Sequence, residues 1–78
     1  MPLNRSMVLS IRIVSWRKAK GLTQGDIAKA CGVGVPAVSQ WESGKAEPTH
    51  DHLVAAVARM GLTMPRFYGR VPKARATA

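Results

Sequence analysis

Seventy-eight residues suffice for one small domain, which at this size buries about 60% of its unfolded surface, and a 46% hydrophobic share is too high for a disordered chain. Twelve Lys and Arg against four Asp and Glu give a net charge of +8 and a sequence pI near 11.0, pointing to a polyanion, an anionic membrane surface or a solvated basic face. The single Cys31 excludes an internal disulfide and fits a reducing compartment, and the longest aliphatic run, LVAAVA at 53–58, falls far short of the roughly 20 residues that cross a bilayer.

MPLNRS carries Pro, Asn and Ser without a period and reads as a flexible leader over residues 1–6, with Met7 an alternative start to Met1. MVLSIRIVSW is weakly similar to a signal h-region, but Arg12 interrupts it and no small-residue cleavage site follows, so the expected location is the cytoplasm. From Met7 to Lys20, Val8 or Leu9, Ile13 and Trp16, with Ile11 a further candidate, fall on one face of a first helix. Gly21 ends it, and Lys18 and Lys20 suit the negative end of its dipole.

Thr23 is an N-cap for a second helix, with Asp26 as its capping-box partner. Ile27, Ala28 and Cys31 supply a short apolar face, Cys31 as a small buried hydrophobe, before Gly32 stops the chain. Gly34 caps a third helix. Pro36 suits its first turn, and Val35, disfavoured from helical angles by the proline after it, places the start at Pro36. Val38 and Trp41 face inward and Gly44 ends the helix. Trp41 has two readings: core filler at helical spacing from Val38, or an indole donating to a phosphate of a polyanionic partner.

Thr49 caps a fourth helix after Pro48, with Leu53, Val54, Ala56, Val57 and Met60 inside and a Schellman ending at Gly61-Leu62. Thr63 caps a last turn, MPRFYG, and residues 69–78 form a basic tail that is expected to be disordered when free. No acidic residue follows Asp51, whereas Arg59, Arg66, Arg70, Lys73 and Arg75 do. His50 and His52, two apart on a helix, point to different faces and make no metal site with one distant cysteine. No nucleophile–base set, paired carboxylates or P-loop is present, so neither an enzyme nor a cofactor is expected.

Two short helices joined by a tight turn make sense as one rigid unit, because neither is stable alone. The stretch LTQGDIAKACGVGVPAVSQWESGK, Leu22 to Lys45, resembles the helix-turn-helix of Cro/repressor-type, XRE-like regulators. The matching spacing is Thr23-Gln24, Ile27-Ala28, Gly32-Val33, Val38-Ser39, Glu42 and Gly44, extended by Arg17, Pro48-Thr49, Leu53, Ala58 and Gly61-Leu62 over about residues 8–68. The resemblance implies an all-α fold, a compact five-helix bundle of the phage-repressor type in a domain spanning 7–68, with a recognition helix at about 35–43 in the major groove.

It also implies site residues. Gln24 stands at the phosphate-side start of the second helix. Gly34, Val35, Pro36, Ala37, Ser39 and Gln40 match groove-facing positions, and Ser43 and Lys45 the loop touching backbone phosphate. Arg17 and Glu42 match an arginine–glutamate ion pair. Gly34, Val35 and Pro36 depart from the polar residues usual there, which leaves direct polar reading to Gln40 with Ser39 in support, thymine-methyl contact to Val35 and Ala37, and the rest to DNA shape. The implied function is a sequence-specific double-stranded-DNA-binding regulator, repressing as a homodimer. Antitoxin and coactivator modules of the same fold are the alternatives, the first with a toxin as protein partner. The large apolar residues Leu62, Met64, Phe67 and Tyr68 near the end of the domain are the candidate dimer interface, and a Phe67 that closes the core is the competing reading.

Overall fold

A computed structural model of the chain describes residues 4–72. Five helices follow in order: α1 (Arg5–Ala19), α2 (Gln24–Cys31), α3 (Val35–Ser43), α4 (His50–Arg59) and α5 (Met64–Tyr68). The fold is an all-α five-helix bundle. α1 packs on α3, α2 on both α3 and α4, and the short α5 closes against α1 and α4.

Each helix contributes to one core through a few positions at helical spacing. These are Leu9, Ile13 and Trp16 from α1, Ile27 and Ala28 from α2, Val38 and Trp41 from α3, Leu53, Ala56, Val57 and Met60 from α4 and its end, and Phe67 from α5. No polar or charged residue among those described is fully buried. Packing is what holds elements this short, since helices under about 12 residues are marginal alone.

Side chains satisfy most helix starts. Asn4, Thr23, Thr49 and Thr63 each accept a hydrogen bond from a backbone N–H three residues on. The ends of α1 to α4 share one device. The amides of Leu22, Val33, Lys45 and Leu62 reach back to the carbonyls of Arg17, Ala28, Gln40 and Val57, with a second bond from the preceding glycine in each case. At Gly32 this turn needs φ of +71°, a left-handed angle that favours glycine, and it reverses the chain between α2 and α3.

Several details differ from the sequence reading, among them Ile11, which is 46% exposed rather than on the inner face of α1. Arg5 and Ser6 are helical rather than part of a leader, because Asn4 Oδ1 accepts from the Met7 amide at 2.9 Å and caps α1 there. α3 starts at Val35, one residue earlier than its proline suggests. In a first turn no carbonyl four residues back meets the proline ring. Val54 is 41% exposed, since it lies a full 100° step past Leu53 on a helix whose inner face is Leu53, Ala56, Val57 and Met60. Val71 and Pro72 are half-buried, with Val71 packed on the core, so the chain stays on the domain past Gly69. Residues 1–3 of the proposed leader and 73–78 of the proposed tail lie outside the described residues.

Candidate nucleic-acid interface

The α2–turn–α3 unit is built from both ends of α2. At its start, Thr23 Oγ1 accepts from the Asp26 amide at 3.0 Å, and Asp26 Oδ2 accepts from the Thr23 amide at 2.9 Å. The Thr23 amide and then its hydroxyl hold the Asp26 carboxyl below the usual aspartate range. At the other end three residues, Gly32, Val33 and Gly34, separate the helices. Val33 packs against the core and pins this turn to the domain.

α3 is anchored by Val38 and Trp41, and this decides what it shows to solvent. Trp41 is 5% exposed, with its ring 5.7 Å from that of His52, so the core reading of this residue holds. Val35, Pro36, Ser39, Gln40 and Ser43 are exposed along the outer side, next to exposed Gly34, and Lys45 is exposed just beyond the helix. Ala37 is different. It stands one turn before Trp41 and is half-buried against the core, so its methyl does not join the outer face. Ser43 Oγ donates to the Gln40 carbonyl at 3.1 Å and is partly engaged in its own helix.

Behind this face lies a polar hub. Arg17 Nε and Nη2 donate to Glu42 Oε2 and Oε1 at 2.6 and 3.0 Å, a two-pronged ion pair between α1 and the end of α3. Arg17 Nη1 donates to the Leu22 carbonyl at 2.9 Å. Gln24 Nε2 donates to Glu42 Oε1, also at 2.9 Å. One carboxylate thus fixes α1, the loop after it, α2 and α3 relative to one another. The Gln24 contact was not legible in the sequence, and it leaves that amide one N–H for a further acceptor.

A second latch was also missed. Arg5 Nε donates to Glu47 Oε1 at 2.9 Å and Ser6 Oγ to Glu47 Oε2 at 3.0 Å, while Ser10 Oγ donates to the Glu42 carbonyl. Together they tie the end of α3 and the loop after it to α1.

The four interface candidates near the C-terminus are dispersed in character. Phe67 is fully buried and offers no surface to a partner; its carbonyl accepts from Arg12 and, at 3.2 Å, from Trp16 Nε1, and it closes the core. Leu62 and Met64 are half-buried against the same core. Tyr68 is 44% exposed, edge-on to Phe67, with the Arg12 guanidinium 5.8 Å from its ring centre. Cys31 is half-buried, its thiol 3.2 Å from the His52 carbonyl and pushed to higher pKa by burial, which makes it a poor nucleophile. Among the described residues no group of three or more His, Cys, Asp and Glu has metal-binding geometry, and no helix is long and apolar enough to cross a membrane.

A family profile described as helix-turn-helix matches residues 13–67, which takes in the last two turns of α1 and everything through Phe67. Searches of curated proteins and of solved structures found no match.

Proposed function

Because the chain belongs to the Cro/repressor-type, XRE-like helix-turn-helix family and is at that level a DNA-binding regulator, we propose that it is a sequence-specific repressor that acts as a homodimer on a palindromic operator. The reading puts α3 in the major groove and the chain in the cytoplasm, on the nucleoid. One observation carries it: the exposed row Val35, Pro36, Ser39, Gln40 and Ser43 stands on a helix whose opposite side is locked by Val38 and Trp41. A reading helix needs that combination of an open face and a fixed base.

In this arrangement Gln40 is the direct reader. Its exposed amide can donate to and accept from an adenine edge, while Ser39 supports it and Val35 meets a thymine methyl. Gln24, steadied by Glu42, offers its remaining N–H to a phosphate beside the start of α2. Lys45 and Ser43 meet the backbone at the C-terminal end of α3. The apolar Gly34-Val35-Pro36 start leaves part of the specificity to DNA shape. The dimer contact falls to Tyr68 with Leu62 and Met64, and Phe67 drops out of it.

Selection of bound duplexes from a random pool with the parent and with Gln40→Ala tests the reading. The parent should return a two-fold-symmetric motif. Gln40→Ala should weaken the selected site by about 1–3 kcal/mol per half-site and relax one base pair. An unchanged motif from Gln40→Ala removes Gln40 as the reader, and no enriched motif from the parent removes sequence-specific binding. Because the purified chain is used alone, the outcome does not depend on the toxin partner that the antitoxin alternative requires.

A further inference from the structure

Away from α2 and α3, the end of α1, the helix α5 and the segment after it enclose a cleft of about 740 Å³ lined by Trp16, Arg66, Arg70, Val71 and Pro72. That volume falls in the range of small-molecule sites, roughly 300–1,000 Å³. Its lining divides by chemistry, with Trp16, Val71 and Pro72 supplying apolar wall and Arg66 and Arg70 supplying guanidinium groups.

Cations converge on its indole. The Arg66 guanidinium stands 5.5 Å from the Trp16 ring centre and Lys20 Nζ 5.9 Å from it. Among the described residues the salt bridges are Arg5–Glu47 and Arg17–Glu42, so Lys20, Arg66 and Arg70 have no carboxylate partner. The four acidic residues of the chain, Asp26, Glu42, Glu47 and Asp51, lie on α2, α3, α4 and the loop between the last two, none on α1 or α5. The cleft is therefore concave, partly apolar and electrostatically uncompensated.

We propose that this cleft binds a small amphipathic organic anion of the aromatic carboxylate class. The ring lies against Val71 and Pro72, beside the 4% of Trp16 that is exposed, and the carboxylate is held by Arg66 and Arg70. Guanidinium groups match a carboxylate by paired N–H donors, and charge-assisted bonds of this kind are the strong ones. A nucleic-acid backbone would use the charges but not the apolar walls or the concavity. The site shares no residue with the outer face of α3, so its occupant does not compete with DNA for that face. It lies instead on the seam where Trp16 Nε1 donates to the Phe67 carbonyl, so a bound anion braces α1, α5 and the chain through Pro72 as one piece.

The test is a nuclear magnetic resonance titration of the full chain, without DNA, with naphthoate, its neutral isostere naphthamide and inorganic phosphate. Naphthoate should shift the Trp16 indole N–H and the Arg70 and Val71 amides saturably and leave the Trp41 indole N–H in place. Arg66→Gln and Arg70→Gln should each weaken it about tenfold, one charge-assisted contact in magnitude. If Arg66→Gln loses its dispersed spectrum, Arg70→Gln, at an exposed position beyond the end of α5, decides alone. A non-saturating response, an equal response to naphthamide, the same shifts with phosphate alone, or undiminished binding by Arg70→Gln overturns the proposal. The titration contains no DNA, so it stands or falls apart from the operator-binding reading.

Discussion

Glu42 accepts three hydrogen bonds on two oxygens, and its side chain is only 8% exposed beside an Arg17 that is 13% exposed. An ion pair this deep contributes little when compared with a well-packed apolar pair, yet removing one partner leaves the other charge uncompensated in a poorly solvated place. Glu42→Ala should therefore cost about 3 kcal/mol, which for a domain of this size lowers Tm by roughly 10 °C or more in a thermal melt. Gln24→Ala removes one neutral donor to the same carboxylate and should cost about 1 kcal/mol. A Glu42→Ala protein that melts with the parent would mean that water reaches the guanidinium freely. Lys45→Ala makes a contrasting case on the DNA side. Lys45 is exposed and takes part in no salt bridge among the described residues, so the change should leave Tm alone and weaken all duplexes about equally.

Helices of eight, nine and five residues depend on their ends and on their neighbours, and α2 shows this most directly. Its capping box rests on an Asp26 carboxylate held below its ordinary pKa by the Thr23 amide and hydroxyl. A group depressed in the folded state adds stability that is complete above its unfolded pKa and is lost as pH falls through its folded one. The Tm gap between the parent and Asp26→Ala should thus be widest at neutral pH and narrow below about pH 4, near where a free aspartate titrates. A gap that stays constant into acid would show that the backbone amide gains nothing from the charge. Caps and stops were what the sequence made legible at this scale. Thr23, Thr49, Thr63, Gly32 and Gly61-Leu62 stand where local chemistry alone predicts them. Asn4 was not legible, because no acidic residue follows three positions on and the apolar period starts only later. Val54 misled for another reason: in an almost wholly apolar run the helical face is decided by which neighbours pack, not by hydrophobicity. The site divides the same way. The outer row of α3 was legible only as what the resemblance implies, and the Gln24–Glu42 bond and the inward turn of Ala37 depend on how α2 and α3 meet α1.

For the molecule as a whole, one core and a net charge of +8 set opposite demands. Phe67 closes the core and Tyr68, next in sequence, is 44% exposed, so in the proposed dimer the pair would separate folding from assembly. Phe67→Ala should cost about 3–5 kcal/mol and unfold a large share of a domain whose total stability is of order 5–15 kcal/mol, read by thermal melting. Tyr68→Ala should leave the melt nearly unchanged and shift sedimentation toward monomer; an unshifted profile would move the dimer contact away from α5. The charge of +8 then governs how the proposed dimer meets DNA. If each dimer neutralises ~4–8 phosphates, the slope of log K against log salt should lie between about −4 and −7, at ~0.9 per phosphate on duplex DNA. That slope comes from released counterions and is blind to sequence, so it should hold for operator and random duplex alike, and Lys45→Ala should reduce it by about one per subunit. Gln40→Ala should leave it intact, because Gln40 carries no charge and its loss changes the intercept for the operator alone. A binding constant that is flat between low and moderate salt would mean that few of these cations neutralise phosphates, and would count against the DNA reading.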